Sequence, residues 1–430
     1  MIKSRFLPLC LALSGTLGVV SLSQLAHAEL HLEIAKAFEE APQIAVVPFA
    51  SDSLIYSIVQ SDLQRSGKFN SSSSNLPETP NTTAELNPAT WQSAGIPYVV
   101  VGKVSPSASG GLQVQYELYD VQKGTRILGE LLQVPANRQR EAAHLIADKI
   151  YQALTGIKGD FSGQIAYVLR SKPDGKPKYT LQIADTDGQQ PRTILESPEP
   201  ILSPSWSPDG KQVAYVSFET KRPAIYLQDL ASGQRQLLAQ FKGLNGAPSI
   251  SPDGQKMLLT ASMDGNPEIY QMDLSSKRIE RMTRDSAIDT EARYAPDGKS
   301  FIFTSDRGGT PQIYRYDFSD GNTRRLTFGG RFNARGTLSS DGRNLALVHR
   351  PNGGTYQVAV QDLASGVLSV LTPTPLDESP SFSPNGQMVV YATREGSRGM
   401  LSVMSIDGRF RLRLPSEEGE VREPAWAPRR

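Results

Sequence analysis

The sequence predicts two folded parts: an N-terminal α/β domain, a mixed sheet with helices, followed by an all-β six-bladed propeller. Three observations lead there. A turn recurs every 44 residues through the second half, with Pro208, Pro252, Pro296, Pro384 and Pro428 on that comb and Ser340 in the one tooth without proline. Self-similarity of this length marks a solenoid or propeller. Each repeat carries four strand-like segments, and no helical period appears after about Phe161. Before Gly156, by contrast, apolar runs of strand length are mixed with two segments of helical period.

In chain order, residues 1–28 come first. Lys3 and Arg5 precede an apolar run from Phe6 to Leu22, and Ala26-His27-Ala28 stands before Glu29. This is the pattern of a Sec-type signal peptide cleaved after Ala28, which predicts export to the periplasm. Cys10 follows Pro8-Leu9 instead of the small residues of a lipobox, which argues against a lipid anchor. It is the only cysteine, so the mature chain can form no disulfide and must be held by burial, which roughly 400 residues can supply. Without Lys3 and Arg5, 43 basic residues face 44 acidic ones, a net of −1. That balance suggests neither nucleic acid nor an anionic membrane surface as partner. No later run reaches the roughly 18 apolar residues of a membrane-spanning helix, so no direct membrane insertion is expected.

Residues 29–156 form the first domain. Ile44 to Phe49 and Tyr98 to Gly102 read as buried strands, and Val114 to Leu118 as a half-buried one. Ile55 to Ser66 reads as a helix ended by Gly67. Ala142 to Leu154 puts Ala143, Ile146, Ala147, Ile150 and Leu154 on one face, with Gly156 as its cap. Phe69 to Asn87, rich in Ser, Asn, Pro and Thr, reads as a loop. At the mature terminus Glu29-Leu30-His31-Leu32-Glu33-Ile34 alternates polar and apolar strictly. It is either an edge strand of its own domain or a detachable strand that adds to a partner's sheet.

A linker, 157–162, leads to the propeller, 163–430. In Ser207-Pro208-Asp209-Gly210 and its copies, Pro presets φ, Asp bonds backbone two residues on, and Gly accepts positive φ. Strands follow these turns, as in Val213-Ala214-Tyr215-Val216 and Phe301-Ile302-Phe303, and third strands end at Asp185, Asp229, Asp273, Asp317 and Asp362. Counting strands that start near Ile165, Val213, Met257, Phe301, Leu345 and Val389 gives the six-blade expectation. The chain ends on an orphan strand, Pro424-Ala425-Trp426-Ala427, which is expected to pair with the first and close the ring.

Catalytic motifs are missing from the sequence. His31, His144 and His349 have no metal-ligand spacing, and there is no Gly-x-Ser-x-Gly elbow, phosphate-binding glycine loop or His-Glu-x-x-His. Asp185-Thr186-Asp187-Gly188 resembles the start of a calcium loop, but it lacks the later ligands and sits at a hairpin, so it reads as turn chemistry. A peptidase domain of a couple of hundred residues does not fit into the 128 residues of 29–156. A sugar-binding or hydrolytic site in the central channel is the alternative to a docking protein.

Val46-Val47-Pro48-Phe49, Ser66-Gly67-Lys68-Phe69, Leu154-Thr155-Gly156-Ile157-Lys158-Gly159, Asn245-Gly246-Ala247-Pro248, Leu376-Asp377-Glu378, Asp407-Gly408-Arg409-Phe410 and the repeated turns together resemble the TolB family. These are periplasmic components of the Tol-Pal system of Gram-negative bacteria. The likeness runs from the signal to the last strand. It implies a monomeric adaptor without cofactor or catalysis. One propeller face would bind the peptidoglycan-associated lipoprotein Pal, and the mature terminus (Glu29, Leu30, His31, Leu32, Glu33, Ile34, Ala35) would bind TolA. It also implies support of outer-membrane integrity and of constriction in cell division, contact with other outer-membrane proteins, and use by colicins during import. Loops leading into the first strand of successive repeats converge on one channel mouth, so the Pal contacts are expected at Asn245, Gly246, Ala247, Thr290, Glu291, Asn333, Asp377 and Glu378. Leu244 and Ala292 stand where the family more often has His and Pro.

Overall fold

The computed structural model describes residues 41–429 other than 53, 72–75, 109, 397 and 415–418. The expected signal peptide and the expected strand from Glu29 to Ile34 lie outside these residues. The N-terminal sheet holds β1 (Gln43–Val46), β2 (Asn70–Ser71), β3 (Tyr98–Pro106), β4 (Leu112–Asp120) and β5 (Thr125–Val134), in the order β2-β1-β3-β4-β5. β1 runs parallel to both neighbours, and the β3-β4-β5 pairs are antiparallel. The helices are α1 (Leu54–Arg65), α2 (Pro88–Ser93) and α3 (Gln139–Thr155).

The unbroken apolar run in β3 has a direct cause. Val100 packs with Ile55, Val59, Ile146 and Ile150 of α1 and α3, whereas Val99 and Val101 pack with Trp91 of α2 on the opposite face. A strand covered on both faces loses polar alternation. Each such fully buried side chain stabilises the fold by about 1.5–3 kcal/mol. α3 ends as its glycine predicts: Gly156 has φ +73°, and its N–H donates to Gln152 O at 2.8 Å. Two elements differ from expectation. The polar stretch read as a loop contains β2, held on β1 by parallel pairing. β5 went unread because it is an outer strand whose exposed and half-buried residues alternate around Gly129.

In the propeller the turn chemistry repeats atom for atom. Ser207 Oγ donates to Asp209 Oδ1 at 2.6 Å and accepts from Gln212 N at 2.9 Å, and Gly210 takes φ +67°. The same pair forms at Ser251 with Asp253 and at Ser339 with Asp341. The innermost strands are Ile201–Trp206, Asn245–Ile250, Asp289–Tyr294, Phe332–Leu338, Glu378–Phe382 and Glu420–Trp426. Each packs on the next, and the last packs on the first around a central channel.

The six-bladed propeller expected from the sequence is corrected by the structure. Four four-stranded sheets stand as separate units, beginning with the inner strands at Ile201, Asn245, Asp289 and Phe332. The remaining strands run together as one eight-stranded sheet, from Glu378–Phe382 through Glu420–Trp426 to Arg192–Ser197, with Arg411–Arg413 paired at its side. The joint is a parallel contact of Gly399 with Glu420. A Cβ at Gly399 would sit 2.8 Å from Glu420 Cγ, so only the bare backbone of glycine lets these strands meet. The C-terminal strand also pairs antiparallel with Gln164–Ser171, with Trp426 opposite Ile165.

The two parts are clamped by charge. Arg140 of α3 pairs with Asp185 (3.3 Å) and with Asp187, both on a propeller hairpin, and Arg65 donates to Thr186 at 2.9 Å. Asp148 accepts from the backbone N–H groups of Phe161 and Ser162 (2.7 and 3.1 Å). Asp160 accepts from the N–H of Asn385 and pairs with Arg429.

Candidate functional site

The inner strands place one residue from each repeat in the left-handed region. Ser203, Ala247, Glu291, Arg335, Ser379 and Glu423 have φ between +47° and +58°, and the strand register shifts at each of them. Such bulges re-aim side chains, here toward the channel. Arg335 pairs with Glu291 at 3.1 Å and with Glu423 at 3.6 Å, and donates to Ser379 Oγ. Glu291 also accepts from Thr304 Oγ1 (3.0 Å), and Glu423 from the N–H of Ser203. Burial pulls the Arg335 pKa down, but Glu423 and Glu291 outweigh it and leave it raised. An ionic belt of one arginine and two carboxylates thus crosses the channel.

Two residues before four of the six bulges the sequence has Asn245, Asp289, Asn333 and Asp377, and before the other two Ile201 and Val421. The four polar residues are at most 1% exposed. Asn245 accepts from the N–H of Phe241 at 2.8 Å; Asn333 donates to Gln312 Oε1 at 2.8 Å and meets His349 Nδ1 at 2.8 Å; Asp377 accepts from the hydroxyls of Thr374 (2.8 Å) and Thr393. These side chains brace the loops from within. Burial raises the pKa of Asp377 against those hydroxyl bonds. Of the expected contact residues, Thr290, Glu291, Asp377 and Glu378 line a funnel of about 560 Å³ at the channel mouth, Ala247 lines the deeper channel, and Gly246 is half-buried beside Asn245. The structure therefore does not bring Asn245 and Asn333 to the surface, and Asp377 is fully buried in the funnel wall.

What it does bring there is one residue earlier on the comb. Leu244, Ile288 and Leu376 are 39%, 50% and 51% exposed, and Phe332 is half-buried edge-on against Tyr356 at 5.1 Å. Pro200 and Glu420 occupy the same position in the remaining repeats. The mouth therefore has an apolar crescent on one side and, at Glu420, a cluster with Arg170 (3.2 Å), Arg422 (2.6 Å) and Arg394 on the other. The 44-residue comb carries this signal, but a leucine or isoleucine beside a turn reads as core until its exposure is seen.

One donor set suits a divalent ion. His144 Nε2 lies 3.8 Å from Asp185 and 3.9 Å from Asp187, with Nδ1 fixed on Asp62 at 2.6 Å. The Arg140 guanidinium already bridges both carboxylates, so the group reads as the domain clamp. The Asp185–Gly188 segment keeps its hairpin bond, Gly188 N to Asp185 O at 2.8 Å, as turn chemistry requires.

Comparison with known proteins follows the same division. Residues 30–127 match the TolB amino-terminal domain family, and residues 151–430 match the TolB beta propeller domain family. A protein of Acinetobacter baylyi named Tol-Pal system protein TolB is 72% identical over 98% of this chain and 99% of its own. One of Xanthomonas oryzae pv. oryzae with the same name is 50% identical over 96% and 97%. The crystal structure of TolB from Acinetobacter baumannii superposes with a TM-score of 0.87 at 66% identity, covering 91% of this chain and 97% of that one. The chain belongs to the TolB family of Tol-Pal system proteins.

Proposed function

We propose that this protein is a periplasmic adaptor of the Tol-Pal envelope system that binds Pal at the funnel mouth and TolA through Glu29–Ala35, without catalysing a reaction. In this role it supports outer-membrane integrity and constriction during division. The observation that carries the reading is the crescent of Ile288, Phe332 and Leu376, apolar residues set at one repeat position around a concave mouth, with Leu244 exposed at the same position of the preceding repeat. Exposed apolar groups rimmed by charge are the usual composition of an interface core. The terminal segment alternates as a strand-adding peptide does, and it joins the body through a short stretch before β1. If the terminal segment docks on the body in one state only, Pal must change TolA affinity by the same factor that TolA changes Pal affinity.

The test is calorimetry of the mature chain with Pal and with TolA. Ile288→Ala with Leu376→Ala should weaken Pal at least about tenfold while TolA affinity for the terminal segment is kept. Deleting Glu29–Ala35 should abolish TolA binding and spare Pal. Undiminished Pal binding by the double variant would remove the crescent from the interface.

A further inference from the structure

Beyond the ionic belt, on the side of the turn prolines, the channel widens into a chamber of about 320 Å³ whose rim includes Pro208, Pro384 and Pro428. Two residues after each bulge, the comb places Ser205, Ser249, Arg293, Thr337, Ser381 and Ala425. Five are small, and four of those carry hydroxyls. Arg293 alone breaks the series. Its guanidinium makes one hydrogen bond, Nη1 to Ser205 Oγ at 3.3 Å, and among the described residues no carboxylate lies within ion-pair distance of it. The nearby acids, Glu291 and Glu423, are held by Arg335. A guanidinium has five donors in a planar fork. Enclosure, helped by the like charge of Arg335, holds the Arg293 pKa below the ordinary arginine value although Glu291 and Glu423 oppose the shift, while the residue itself stays half-buried at the chamber wall.

We propose that this chamber is an anion-binding site in which Arg293, flanked by the hydroxyls of Ser205 and Thr337, takes the carboxylate or phosphate group of a small molecule entering from the turn-proline face. Charge-assisted, forked hydrogen bonds to an oxyanion supply what the protein leaves unmade around Arg293. At about 320 Å³ the chamber is smaller than the funnel of about 560 Å³, and it is proposed to hold a small molecule. Glu291 and Arg335 of the belt stand between this chamber and the funnel proposed for Pal and line both.

Arg293→Ser places in this repeat the residue that the comb carries at 205, 249 and 381, so the inner strand should keep its fold. Calorimetry and thermal unfolding of the mature chain, with inorganic phosphate or acetate against sodium chloride at equal ionic strength, test the site. Wild type should bind at least one of the two anions with a raised unfolding midpoint, and Arg293→Ser should weaken that binding about tenfold or more. Response to phosphate alone identifies a phosphate-bearing ligand, and response to acetate alone a carboxylate. Binding of neither anion, or equal binding by wild type and variant, overturns the proposal. Should Arg293→Ser fail to fold, Arg293→Gln makes the same comparison. Pal affinity measured on the same samples reports on the funnel separately.

Discussion

At the residue scale, neighbouring positions on one repeat comb do opposite work. Asn333 is fully buried and bonded to Gln312, to Gly329 O at 2.6 Å and to His349, whereas Phe332 beside it faces the funnel. Removing one partner from a closed polar network leaves the others unsatisfied. Asn333→Ala should therefore destabilise the propeller by about 2–4 kcal/mol, read by chemical denaturation, and weaken Pal only in proportion to unfolding. Ile288→Ala should do the reverse, shifting stability by less than about 1 kcal/mol while lowering Pal affinity, because half of its side chain is already in water. A large stability loss for Ile288→Ala would mean that the crescent is misplaced core. His349 belongs to the first class: buried on Asn333, with its pKa lowered by that burial, it is a neutral brace.

At the scale of elements, the turns and strand alternations were legible in the sequence because their chemistry is local. Ser207, Asp209 and Gly210 satisfy one another within four residues, and Val213 to Val216 is an unbroken apolar run of strand length, buried throughout. The sheet count was not legible, since it depends on a backbone approach between Gly399 and Glu420 across a segment the repeat does not encode. Nor was the clamp of Arg140 on Asp185 and Asp187, because nothing in either segment names the other. The candidate site was half legible: the comb located the mouth at Thr290, Glu291 and Glu378, but burial of Asn245 and Asn333 decides which side chains reach a partner. Two changes probe the joint. Gly399→Val puts a branched side chain where even a Cβ meets Glu420 at 2.8 Å, and should cost about 1–3 kcal/mol. Ending the chain after Val421 removes the pairing of Trp426 with Ile165 and the bond from Trp206 Nε1 to Ala425 O at 2.9 Å, exposing a sheet edge. Its unfolding should lose cooperativity for the whole propeller, and an unchanged transition would refute closure by this strand.

At the scale of the whole molecule, the two parts are tied where Asp160 meets Asn385 and Arg429. Burial raises the Asp160 pKa to about 6 from an ordinary 3.8, against the pull of Asn385 N–H and Arg429. A carboxyl whose folded pKa lies above its unfolded one stabilises the fold in full below about pH 4, and loses that contribution as pH climbs through about 6. Burial likewise raises Asp148 and Asp185 at the same boundary, while Asp187 is lowered because Arg65, His144 and Arg140 outweigh its burial. The total pH profile therefore mixes signs, and a difference between variants isolates one group. Asparagine at position 160 resembles the protonated acid and does not titrate. Asp160→Asn should match wild type near pH 4 and become the more stable of the two by pH 7, with a gain of up to about 3 kcal/mol in relative stability across that interval. Urea unfolding of both chains at pH 4, 5, 6 and 7 measures it. A stability difference that does not change with pH would show that Asp160 enters the fold with its ordinary acidity. The clamp would then hold the propeller to the N-terminal domain without any cost for the burial of that carboxylate.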